Sequence, residues 1–100
     1  MVADTGAMAA SSVSVGQTVA AYQFFLPPLR EVRQADPTDS TMRGDVFLGQ
    51  VAAGALSIGV GVSFSLLTGS YIPVWVAGFT ALIIAGMYHK ALMTGDNNAT

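Results

Sequence analysis

From Val46 to Tyr88 the chain runs forty-three residues without a charged side chain. A transmembrane helix needs roughly 20 consecutive apolar residues, so the run is long enough for two. Halfway along it, Thr68-Gly69-Ser70-Tyr71-Ile72-Pro73 sets a helix-stopping glycine before a capping serine and a proline suited to a first helical turn. The run therefore predicts two membrane-spanning helices joined by a very short turn.

The rest of the composition fits that reading. Of 100 residues, 52% are hydrophobic and only 10% charged, against about a quarter in soluble domains. The net charge of −2, with no basic stripe, gives no footprint for a nucleic acid. Cysteine is absent, so disulfides and thiolate metal sites are excluded. His89 is the only histidine, too few ligands for a metal site. Neither span carries a carboxylate, which argues against proton translocation and ion-coupled transport. No nucleophile–base set or phosphate loop is present, so neither an enzyme nor a cofactor is expected. The N-terminus carries Asp4 and lacks a positive leader, unlike a secretory signal.

The expected fold is an all-α membrane protein, a two-helix transmembrane hairpin preceded by a short amphipathic N-terminal helix. Residues 1–36 form an extramembrane or interfacial segment. Within it, Ser14-Val15-Gly16-Gln17 matches a capping box and predicts a helix starting near Val15, while residues 1–12 look unstructured. Val15, Val19, Tyr22 and Leu26 fall on one face, and Pro27-Pro28 interrupts the ladder. A second short piece follows to Arg33, so the segment is helical over about 15–33. It is read either as lying on the membrane surface or as packed on a partner, with Phe24, Phe25, Leu29, Arg30 and Arg33 as candidate docking residues.

Residues 37–93 form the hairpin, with spans at about 46–67 and 72–92. Asp36-Pro37-Thr38-Asp39 is a strong helix start, and Thr94-Gly95 is expected to close the second span before a polar tail, 94–100. Tyr71 and Trp75 at the turn, with Tyr88, His89 and Lys90 at the other end, match interfacial anchors. Arg30, Arg33 and Arg43 precede the first span and Lys90 ends the second, which predicts both termini on the cytoplasmic side or its equivalent.

The most informative pattern inside the run is a row of small residues. Gly49, Ala53, Ser57, Gly61, Ser65 and Gly69 recur every four positions, with Ala55, Gly59 and Ser63 beside them. Such rows let helix backbones approach closely. One seam serves the hairpin, and a second is expected to serve a homo-oligomer or another membrane or capsid protein. Gln50 is the only amide in the spans and is read as an interfacial residue.

Two classes of function follow. One is a structural or assembly protein of a membrane, docking a partner through the N-terminal region. The other is a membrane-permeabilising hairpin; two spans with a short turn resemble one holin class, although Asp96-Asn97-Asn98-Ala99-Thr100 is not a strongly charged holin tail. An accessory subunit of a larger membrane complex is a third. Five Asp against one Glu, and a single Lys, join with size and topology to resemble small virion membrane proteins of viruses with an internal membrane, including viruses of halophilic archaea. That resemblance implies a non-enzymatic protein in a virion internal membrane or a host membrane, with the lipid bilayer and other capsid or membrane proteins as partners. No motif carries it, so it assigns no residue a role.

Overall fold

A computed structural model describes residues 2–35 and 40–99 as four helices: α1 (Val2–Phe25), α2 (Leu29–Gln34), α3 (Ser40–Thr68) and α4 (Ile72–Ala99). Two of them, α3 and the part of α4 from Ile72 to Met93, are long and apolar enough to cross a membrane. The helix-start signal at Asp36–Asp39 lies outside the described residues.

The turn between α3 and α4 is built as its residues require. Gly69 adopts φ +68°, a left-handed conformation that costs a side-chain-bearing residue about 1–2 kcal/mol. The Ser70 amide then donates to the Ser65 carbonyl at 3.2 Å, the six-to-one bond of a Schellman ending. Ser70 Oγ accepts from the Ile72 amide at 3.2 Å and so opens α4. Reaching across from α3, Ser65 Oγ accepts from the Val74 amide at 3.0 Å. A residue of one helix thereby satisfies a free donor in the first turn of the next.

Helix α1 departs most from expectation. It begins at Val2 rather than near Val15, and Ser14 to Gln17 sit in its interior. Alanine is the best helix former, and Ala3, Ala7, Ala9 and Ala10 carry the helix through the segment that looked unstructured. It packs along both α3 and α4. The molecule measures 55 × 18 × 15 Å. A 24-residue helix is about 36 Å long, twice the second dimension, so α1 is aligned with the pair.

Its direction follows from two contacts. A Cβ built on Gly49 would meet Leu26 and the Phe25 carbonyl, whereas one built on Gly54 would meet the Tyr22 hydroxyl. Moving back four residues in α1 moves forward five in α3, so the two are antiparallel. The result is a three-helix bundle, with α2 packed on α4 beyond the Pro27-Pro28 break.

At the far end, α4 continues to Ala99 and passes the stop expected at Thr94-Gly95. No proline follows Gly95, and a glycine inside a helix costs only about 1 kcal/mol, so nothing forces an ending there.

Candidate functional site

The small-residue row is the feature around which the bundle closes. Gly49, Ala53, Ser57 and Gly61 are all buried. Two crossings pin the row. At Gly49, α1 comes so near that an added Cβ would stand 2.5 Å from the Phe25 carbonyl oxygen and 3.0 Å from Leu26. At Gly61 it would stand 3.0 Å from both the Ala77 Cβ and the Val74 Cα. The two close approaches therefore use different partners: α1 at the open end of the hairpin, α4 near its turn. Ser65 and Gly69 drop out of the packed interior; Ser65 is half-buried and caps α4, and Gly69 makes the turn. The parallel row of Ala55, Gly59 and Ser63 is exposed on the outer side of α3, and nothing lies within 4 Å of a Cβ on Gly59.

The face of α1 turned to this row is small and hydroxylated. Ser14 and Thr18 are completely buried, with Ala21 and Tyr22 following. Thr18 Oγ1 donates to the Ser14 carbonyl at 2.8 Å. The hydroxyls of Ser14 and Ser57 and the amide oxygen of Gln17 are buried without hydrogen-bond partners. For each serine, rotation of the hydroxyl offers the carbonyl four residues earlier, the bond that Thr18 already makes. Ser14 thus contributes by its small volume and not as a helix cap.

The expected interfacial anchors divide. Tyr71 and Trp75 are exposed at the turn, 79% and 61% respectively, and Trp75 leans on Phe79 with ring centroids 6.0 Å apart. His89 and Lys90 are exposed at the opposite end. Tyr88 is not an anchor: it is 5% exposed, and its hydroxyl donates to the Pro27 carbonyl at 2.6 Å. Pro27 needs that donor, because the amide of Glu31, its i+4 neighbour, donates to Pro28 instead. The bond ties the α1–α2 break to α4 across sixty-one positions of sequence.

Of the candidate docking residues, Phe24 is 82% exposed and stacks edge-on against Phe25, with centroids 5.0 Å apart. Leu29 instead turns inward against the core of Tyr22, Val32 and Tyr88, and Arg30 and Arg33 point out. Gln50 is half-buried and lines a groove between α3 and α4, with Tyr22 at its floor and Ile58, Ala81 and Leu82 along its walls. Tyr22 falls on the apolar face of its helix by spacing, but nothing in that spacing says that it fills the gap between two later helices.

The chain matches no protein-family model, no curated protein and no solved structure.

Proposed function

We propose that the chain is an integral membrane protein with a structural role, anchored by α3 and α4 in lipid. The observation that carries this reading is the inversion of its packing. Along the seam of α3 and on the part of α1 that holds Ser14 and Thr18 the buried positions are small or hydroxylated: Gly49, Ala53, Ser57, Gly61, Ser14 and Thr18. The large buried side chains Tyr22, Leu26, Val32, Val46 and Tyr88 gather toward the end away from the turn. The large apolar side chains, among them Phe47, Leu48, Leu66, Leu67, Leu82 and Ile83, point outward. Only 17% of the most apolar window of α3 and 22% of that of α4 are buried, far from the pattern of core helices in a water-soluble bundle. A soluble monomer rarely exposes contiguous apolar surface beyond a few hundred Å². Lipid removes that problem, and it leaves close van der Waals contact between small residues as the force holding helices together.

The setting supported by the Asp-rich, Lys-poor composition is the internal membrane of a virus particle, with the charged end carrying Arg30, Arg33 and Phe24 as the face offered to other proteins. Two measurements test the proposal in order. Alkaline carbonate washing of membranes from expressing cells should leave the protein in the pellet, and release into the supernatant would refute membrane integration. Purified particles should then contain the chain and lose it together with lipid on detergent treatment. Presence only in host membranes would refute the virion setting while leaving the membrane reading intact.

A further inference from the structure

We infer that α1 is a third membrane-crossing helix, its outer face covered by lipid acyl chains and its N-terminus on the same side as the Gly69 turn. The inference rests on the proposal that α3 and α4 span the bilayer.

Three independent features support it. The first is alignment: α1 lies along the hairpin, so if α3 and α4 stand across a membrane, α1 stands with them. The second is register. Leu26 lies beside Gly49 and Tyr22 beside Gly54 in an antiparallel pairing. Carried along the helix, the same offset brings Asp4 to the level of Tyr71. Between Asp4 and Arg30 the chain has no charged residue. The uncharged length of α1, residues 5–25, therefore lies alongside that of α3, and at about 32 Å it matches a hydrocarbon core of about 30 Å.

The third feature is the outer surface. Met8, Val13, Val19 and Phe24 are exposed on α1, continuing the apolar exterior of α3 and α4 around the bundle. Water is a poor occupant for such a surface; α1 is less apolar than α3 and α4, the two helices apolar enough to cross a membrane by themselves, and its seat along both of them makes up the difference. Ser12, also exposed, donates to the Met8 carbonyl at 3.1 Å, which removes its polarity from that surface. Two glutamines are the strongly polar residues of α1: Gln23 is exposed one turn from Pro27, and Gln17, near the middle, is half-buried with its amide oxygen turned into the bundle.

Charge agrees with this orientation. Arg30, Arg33, Arg43 and Lys90 all belong to the end of the bundle away from the turn, and residues 1–29 hold no Lys or Arg. The expectation that both termini share a side depended on α1 staying outside the bilayer. With three spans they lie on opposite sides.

The absence of cysteine makes the test direct. Gly6→Cys, Gln34→Cys and Tyr71→Cys place single thiols at exposed positions at the start of α1, on α2 and at the turn. Each is treated with a membrane-impermeant maleimide in spheroplasts and in inverted vesicles, with labelling in SDS as the measure of full reactivity. Three spans predict that the Gly6 and Tyr71 thiols react from one face and the Gln34 thiol from the other. A protease-sensitive epitope fused before Met1 should be cut from the same face as the Tyr71 thiol is labelled. If the Gly6 thiol and the epitope share the face of Gln34, opposite Tyr71, α1 does not cross and the inference is overturned while the hairpin stands. Equal reaction of all three thiols from both faces, with the protein released by carbonate, overturns the membrane reading and this inference together.

Discussion

Replacing Gly61 by alanine isolates the force assigned to the small-residue seam. The new Cβ would sit 3.0 Å from the Ala77 Cβ and 3.0 Å from the Val74 Cα, with the Pro73 carbonyl oxygen at 3.3 Å. None of these atoms lies at the end of a flexible side chain, so α4 itself has to move away from α3. Forced overpacking of this kind costs about 1–3 kcal/mol. Alanine also favours the helix over glycine by up to about 1 kcal/mol, which hides part of the loss. Gly59→Ala supplies the control. It lies on the same helix half a turn away, with nothing within 4 Å of its Cβ, and gains the propensity term without the clash. The difference between the two variants cancels propensity and should fall at about 1–3 kcal/mol, with Gly59→Ala the more stable. Gly49→Ala should lose at least as much as Gly61→Ala, since its Cβ would meet the Phe25 carbonyl at 2.5 Å. Unfolding in mild detergent with rising SDS, read by pulse proteolysis, gives the three free energies. Equal stability of Gly61→Ala and Gly59→Ala would show that the row is a compositional accident and that the helices are held elsewhere.

The same titration reads two further contacts. Tyr88→Phe keeps the ring and removes the donor to the Pro27 carbonyl, so it should cost about 1 kcal/mol; a stability equal to that of the parent would mean the bond contributes nothing to holding α1 and α2 on α4. Ser65→Ala leaves the Val74 amide in the first turn of α4 without its acceptor and should cost about 1 kcal/mol. Ser63→Ala removes only a bond to its own helix at Gly59 and should stay within about 0.5 kcal/mol of the parent, so a matching loss in both variants would refute the capping role of Ser65.

The hairpin was legible because its signals are local. A long uncharged run, a glycine that can take φ +68° and a serine ahead of a proline lie within a few residues of one another, and the helix boundaries at Thr68 and Ile72 follow. The N-terminal region was misread for a related reason. Ser14 and Gln17 have the chemistry of a capping box, but the same small hydroxyl also suits a buried helix crossing, and only the tertiary partner decides between them. Tyr88 shows the limit most clearly. An aromatic at the end of a span reads as an interfacial anchor, and its true partner is a carbonyl freed by a proline sixty-one residues earlier. Pro27-Pro28 leaves carbonyls short of donors, and no local signal says which distant hydroxyl supplies one.

The seam itself changes meaning once α1 is in place. Read from α3 alone, six small residues at four-residue spacing offer a surface to a second copy of the chain. In the bundle, Gly49, Ala53, Ser57 and Gly61 are already covered by α1 and α4, so no neighbour can use them unless α1 leaves. Under the proposed membrane reading leaving is unfavourable, because close packing at Gly49 and the Tyr88–Pro27 bond would both be lost with no hydrophobic compensation. Association through the tightest surface is thus traded for a self-contained bundle. What remains for partners is of a different kind: a large apolar exterior suited to acyl chains, and a charged end bearing Arg30, Arg33 and the exposed ring of Phe24. Under the proposed membrane reading, a chain built this way holds a fixed orientation and presents its charged end to whatever lies against it, as a structural anchor would.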